Sequence, residues 1–510
     1  MKQLQAVYVS LVFAVSALLG SCSAAIAEAP QYGGTLNVAA DNDAKSLDPT
    51  FQVNFSERQP EYLIYNTLFG LKPDFSIVPE LAESWSISED GLVLTISLRK
   101  GVRFHDGTEF NAEVVKWNID RRLDDEVNSP SKSLLRPAIA SVDAVDANTV
   151  RINLKGPSPS LLGMLAQREG FMISPTAAKK LGNRFGVEPV GTGPFVFKEW
   201  LQGNSITVDK NPDYWEKGKP YLDRVVLHLM ANPTIGVPRM LSRELDVVPY
   251  LPPNEARALE GKPDIRLFLS PGSRWTSLHI VTTSAPFNDV RVRQAIAYGL
   301  DRQRIVDIVT AGKGIVANGP TPPSLWWFNK DLPSYEHNPE KARKLLSDAG
   351  YASGLSVTLS IPPDGLYRPL SSLVQEQLKD VGINVSIQPV SASEWAPRLM
   401  NKEINFIPIR WTQRPDPDGL MTLLMYSKSS QNWTVFNNPE FDALLEQGRV
   451  EKNQDRRRDI YGRAQKILAE QLPYINLFFA VEYTAMQASV QNFVYIPDEI
   501  PRYREIWKSK

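Results

Sequence analysis

Leu370-Ser371-Ser372-Leu373-Val374-Gln375-Glu376-Gln377-Leu378-Lys379-Asp380-Val381-Gly382-Ile383-Asn384-Val385-Ser386-Ile387 reads as a helix over 370–381 that passes through Gly382 into a strand of alternating apolar residues. Helix running straight into strand is the unit of α/β architecture. The same alternation extends upstream. A strand over 275–281 precedes Asp289, which is placed to cap a helix whose Val292, Ala295, Ile296 and Gly299 follow 3.6-residue spacing. Asp301 starts another helix with Ile305, Ile308 and Val309, stopped by Gly312. Asn338-Pro339-Glu340 opens a third, with Ala342, Leu345, Leu346 and Ala349 inside and Gly350 as the stop.

The first half is patterned differently. Gly33-Gly34-Thr35-Leu36-Asn37-Val38 reads as a strand ended by the loop Ser46-Leu47-Asp48-Pro49. Asp90-Gly91 is a two-residue turn signal, and Leu92, Leu94, Ile96 and Leu98 alternate with Val93, Thr95 and Ser97, which predicts a β-hairpin over 86–98. A helix follows at 112–120, with Val114, Val115 and Trp117 on or near its buried side. Gly191-Thr192-Gly193-Pro194 breaks the chain before a second hairpin, with Phe195 and Phe197 on one arm and Ile206 and Val208 on the other. The change of pattern near residue 272 predicts two lobes built on different sheets.

Lys2 and the apolar run 6–19 form a segment too short to span a bilayer but suited to the core of a secretory signal, so the rest is read as an exported protein. Two cleavage patterns overlap there. Ala25-Ile26-Ala27 would release a chain starting at Glu28, making 1–27 the signal; Leu19-Gly20-Ser21-Cys22 resembles a lipoprotein box that would end the signal at 21 and acylate Cys22, the sole cysteine. The roughly 480 residues that follow the signal make two or three domains, since a single core rarely exceeds roughly 250 to 300 residues. A net charge of −1 offers no basic excess for phosphate contacts and argues against nucleic acid as a partner. No HExxH, cysteine cluster or EF-hand loop supports a metal centre, and no cofactor is expected. Arg456-Arg457-Arg458 reads as a solvated helix face.

Six ordered motifs go further. They are Pro79-Glu80-Leu81-Ala82-Glu83-Ser84-Trp85, the run from Leu98 through Phe104-His105-Asp106-Gly107, Gly191-Thr192-Gly193-Pro194-Phe195, Asn211-Pro212-Asp213-Tyr214-Trp215, Asp289-Val290-Arg291-Val292-Arg293-Gln294-Ala295, and Asp416-Pro417. Together the chain resembles the extracytoplasmic solute-binding proteins of ABC transporters, family 5, the branch of dipeptide, oligopeptide and nickel binders. The resemblance implies a two-lobed periplasmic-binding-protein fold of cluster C type, α/β, with an enlarged first lobe and a ligand cleft between the lobes. It implies a first lobe over 28–272 with an extra subdomain at about 75–190, a second over 273–484, and a return of 485–510 to the first. A monomer working with membrane permease subunits, in the periplasm or lipid-anchored to a membrane, follows from it. His105-Asp106 falls in the family's turn before a helix, and its role is read as structural.

Peptide-binding relatives carry an acidic residue three after the tryptophan of the loop that begins here at Arg410-Trp411, where it meets the peptide ammonium. This chain has Gln413 and Arg414 in that region. A cation in a closing cleft repels an ammonium, so Arg414 either forms a bidentate pair with a ligand carboxylate or phosphate, or pairs internally with Asp416 or Asp418. Arg410, Asp416, Tyr367 and Arg368 are further candidates, with Trp411, Trp433 and Trp275 as flat walls and Phe51 and Asn54 from the first lobe. The solute expected is a peptide, a modified amino acid or opine-like conjugate, or an oligosaccharide. The rival is an exported hydrolase of peptides or glycosides, which would need a nucleophile with its base, a zinc site or two facing carboxylates.

Overall fold

In the computed structural model, which describes residues 29–510 apart from 41–42, 52–54, 231–234, 363–365 and 392–393, the stretch that decides the fold class is a β-α-β unit. Strands Leu355–Ile361 and Ile383–Pro389 pair in parallel, Leu355 opposite Ile383 and Leu359 opposite Ile387, joined by helix Tyr367–Lys379. Gly382 takes φ +89°, a conformation costly for any residue with a Cβ, and turns the chain from helix to strand. Asp289, Asp301 and Asn338 each cap the helix that follows them, accepting from the backbone N–H of Arg291, Arg304 and Lys341. The inner faces of these helices, with Val292, Ile296, Ile305 and Ala342, share one core with Leu278, Leu359 and Phe406. The signal segment and the acylation site at Cys22 lie outside the described residues.

The larger sheet belongs to the other lobe. Its seven strands run in the order Ile265–Leu269, Tyr483–Gln487, Val247–Leu251, Thr35–Ala40, Arg224–Leu229, Ser205–Lys210, Phe195–Leu201. A separate antiparallel sheet joins Ala82–Ile87, Val93–Leu98, Thr149–Leu154 and Ile139–Asp146, and helix Ala112–Leu123 covers it through Val115 and Ile119. Leu94, Ile96 and Leu98 are buried there, and Gly91 takes φ +78° in the turn between the first two strands.

Strand Arg274–Ile280 is central in a four-stranded sheet, between Phe406–Trp411 and Tyr474–Ala480. The chain therefore passes between the two sheets twice, at 270–273 and at 481–482. Both passages are tied by Arg274, which bonds Glu482 at 3.0 Å and Glu499 at 2.6 Å. Beyond that tie one of the contacts between the lobes is made by Phe75, at the tip of the hairpin Phe69–Leu71/Ile77–Pro79, which is buried in the second-lobe cluster that includes Trp327, Leu420, Met421 and Phe441.

Three of the four histidines are packing groups. His105 lies against Gly193 O, with Gly191 N–H donating to Nδ1, and burial pushes its imidazole down to about 4 although the Gly193 carbonyl and Asp106 oppose the shift. Burial alone pushes His279 down to about 3, and burial followed by Arg239 lowers His228. Arg457 departs from the sequence expectation: it is 5% exposed, because it shares one helical stripe with Ile460, Tyr461, Ala464 and Leu468.

Phe75→Ala removes about 3 kcal/mol of packing between the lobes; small-angle scattering should show a larger radius of gyration with an unchanged far-ultraviolet dichroism spectrum. The depressed histidines stabilise the fold fully above about pH 6.5 and progressively less as pH falls toward 4 and 3, because the unfolded chain takes up the protons first. The melting temperature should fall between pH 7.5 and 5, and His105→Asn should make that fall shallower by up to about 1.4 kcal/mol per pH unit.

Candidate functional site

The loop that follows strand Phe406–Trp411 is set by its aromatic base. Trp411 packs beside Trp433 with ring centroids 5.5 Å apart and planes tilted by 41°, and its Nε1 donates to His279 Nε2 at 3.1 Å. That bond requires neutral His279 with its proton on Nδ1, which agrees with the imidazole being held neutral by burial. Trp433 Nε1 is buried without a hydrogen-bond partner. Trp275, expected as a wall of the site, is a core residue instead: fully buried, its Nε1 donates to Asn476 Oδ1 at 2.9 Å and its ring packs 5.1 Å from Tyr474. A central strand flanked on both edges leaves that side chain no open face.

The two aspartates after Arg414 are committed to other arginines. Asp416 accepts two bonds from Arg457, at 2.7 and 2.8 Å, and caps helix Pro417–Met425 through Asp418 N–H. Asp418 is paired with Arg449 at 3.3 Å. Asp416 thus holds the loop in place rather than reaching for a solute, and the internal pairing of Arg414 with either aspartate does not occur. Arg410 is also engaged, with Glu482 at 3.1 Å and its guanidinium 5.8 Å from the ring of Tyr367, itself buried in the first turn of its helix. Arg368 is exposed. Phe51 is 43% exposed with Arg121 5.4 Å from its ring, and Asn54 lies outside the described residues.

Arg414 is left without a hydrogen bond or ion pair among the described residues. It faces the first lobe. Helix Ser160–Leu165 comes so close that a Cβ on Gly163 would stand 3.3 Å from Pro415 Cβ, and the turn Arg168–Gly170 follows directly. Burial, then the like charge of Arg168, pushes the Arg414 guanidinium down to about 9, with Glu169 opposing and Arg58 adding to the effect. At neutral pH the group remains a cation. Arg58 comes from helix Phe55–Ile64, which packs on this turn through Tyr62 and Phe171, 4.8 Å apart edge to face. An open pocket of about 110 Å³ lies at the end of that helix, walled by Tyr62, Asn66, Ala166, Arg502 and Arg504. Sequence reasoning missed Arg58, Arg168 and Glu169, which lie in no motif and reach Arg414 only through the fold.

These features have counterparts among known proteins. Residues 76–433 match the description of bacterial extracellular solute-binding proteins, family 5 Middle. The glutathione-binding protein GsiB of Escherichia coli K12 is 31% identical over 497 residues, 95% of each chain. The periplasmic binding protein DppA of Helicobacter pylori, solved with the peptide STSA, superposes with a TM-score of 0.86 at 27% identity, over 94% of this chain and 99% of that one. AgaA from A. tumefaciens R10, solved with agropinic acid, gives 0.83 at 27% identity, over 94% and 99%. The two-lobed fold is thereby the periplasmic-binding-protein fold, and the chain belongs to the bacterial extracellular solute-binding proteins of family 5.

Proposed function

We propose that this chain captures a small polar solute bearing an acidic group between its two lobes and presents it to the permease of an ABC importer. The observation that carries the acidic group is Arg414: a half-buried cation at the contact between lobes that makes no hydrogen bond or ion pair among the described residues, with Glu169 the anion that opposes its shift. A guanidinium partly withdrawn from water without an ion pair is incompletely compensated, and a ligand carboxylate meeting it in bidentate geometry supplies the missing partner. A modified amino acid or opine-like conjugate supplies such a group, a choice in keeping with the relatives named for glutathione and agropinic acid. An exported hydrolase finds no support among the relatives, which are solute-binding proteins.

Trp411 and Trp433 provide the apolar floor beside the cation, and the unpartnered Trp433 N–H is a donor for a polar atom of the solute. Because the tryptophans and Arg414 belong to one lobe and Arg58 and Arg168 to the other, a solute touching both favours the closed form over the open one. The protein works as a monomer outside the cytoplasm, free in the periplasm or held by a lipid on Cys22; no described helix is long and apolar enough to cross a membrane.

Mass spectrometry of material released from the purified protein should identify a compound with at least one carboxylate or phosphate. By calorimetry Arg414→Ala should weaken that compound more than about tenfold, and unchanged affinity would refute the assignment.

A further inference from the structure

His279 is a polar side chain in a place where an apolar one would oppose folding less. It lies on strand Arg274–Ile280, 3% exposed, between Ile407 on one neighbouring strand and Tyr474 on the other. The Tyr474 ring meets the imidazole edge to face at 4.4 Å, and Tyr474 is itself held by donating its hydroxyl to Leu424 O at 2.8 Å. His279 Nδ1 is buried with no hydrogen-bond partner. An N–H left unmet in the interior is destabilising, so packing alone does not account for the imidazole. Its hydrogen bond among the described residues is the one it accepts at Nε2 from Trp411 Nε1, at 3.1 Å. The two rings are within 21° of coplanar with centroids 6.2 Å apart, so they meet edge to edge and the bond runs along the imidazole lone pair. Trp411 is half-buried and stands opposite Trp275 in the sheet, and its indole runs back along the sheet to reach His279.

We propose that His279 is a positioning residue of the solute site: the acceptor it offers fixes the Trp411 indole beside Trp433, so that this wall is formed before the solute arrives. The proposal rests on the reading of Trp411 as a wall of the site and adds to it what orients that wall. The loop after Trp411 is held by other bonds. Gln413 donates to Ser273 O at 3.2 Å and to Pro320 O at 3.0 Å, and Asp416 accepts from Arg457 at 2.7 Å. Those bonds fix the path of the chain, but none restrains the rotation of the indole about its own side-chain bonds. The bond to His279 does. An indole free to turn would have to be ordered when the solute binds, which weakens affinity by about three- to tenfold. His279 removes that loss from within the sheet, without contact with the solute.

The test compares the full-length parent with His279→Leu, close in volume and without an acceptor, and with His279→Gln, whose amide oxygen stands near the position of Nε2. Nuclear magnetic resonance on protein with isotope-labelled tryptophan follows the Trp411 indole N–H, identified by its loss in Trp411→Leu. Its exchange with solvent should quicken at least about tenfold in His279→Leu and return toward the parent rate in His279→Gln. N-acetylglutamate, an acidic modified amino acid, should bind His279→Leu about three- to tenfold more weakly than the parent by calorimetry, with His279→Gln between the two. His279→Leu should melt no lower than the parent, because the unmet Nδ1 N–H is gone; an imidazole serving only structure would lower the melting temperature. Parent-like exchange and affinity in His279→Leu, with binding weakened in Trp411→Leu, would overturn the positioning role and leave Trp411 as a wall. Parent-like affinity in Trp411→Leu would overturn the wall and the proposal with it. A parent that takes no N-acetylglutamate would count against that class of solute, and the indole exchange alone would then uphold or overturn the positioning.

Discussion

The bidentate pair between Asp416 and Arg457 is the interaction on which the geometry of the candidate site depends. It fastens the loop after strand Phe406–Trp411 to helix Gln454–Gln471 while Asp416 also starts the helix that follows. Both partners are largely withdrawn from water, so breaking the pair from one side would leave a buried charge and cost about 3 to 5 kcal/mol. With that aspartate committed and Asp418 held by Arg449, the remaining cation of the loop, Arg414, pairs with neither and faces the first lobe. A fixed loop with an unanswered charge is what a site needs if recognition is to come from the solute.

The same economy of ions appears where the chain passes between lobes. Arg274 bonds Glu482, which stands in the other passage, and Glu499, which stands in the C-terminal segment, while Arg410 shares Glu482. These charges answer one another locally. Arg414 is half-buried as they are, yet it makes no such bond among the described residues. Retaining an uncompensated guanidinium opposes folding, and such residues mark places where stability yields to binding.

Local signals made much of the fold legible. Asp289, Asp301 and Asn338 were readable as caps because the N-terminal N–H groups of a helix need an acceptor within a residue or two, a requirement written entirely in neighbouring positions. The hairpin at Asp90-Gly91 was readable for the same reason. Arg457 was misjudged although its signal was present: the stripe it shares with Ile460, Tyr461, Ala464 and Leu468 places the middle of the three arginines inward. Trp275 looked like a wall because a strand carries no label for being central, and only pairing on both edges buries it. Arg58 and Arg168 had no local signal at all, since their meeting with Arg414 is made by helix packing between lobes.

That difference explains why the sequence speaks for one half of the site and not the other. The departure at Gln413 and Arg414 is visible against a family pattern and names a sign of charge, but which first-lobe segments come to face that loop is decided by packing between stretches far apart in the chain. A solute that answered Arg414 alone would be bound by one lobe and would not distinguish open from closed, since only differential affinity moves such an equilibrium. The lobes must each contribute part of the field the solute satisfies. The place where a first-lobe group can do so is the approach of helix Ser160–Leu165 to the loop that carries Arg414, close enough that a Cβ on Gly163 would stand 3.3 Å from Pro415 Cβ.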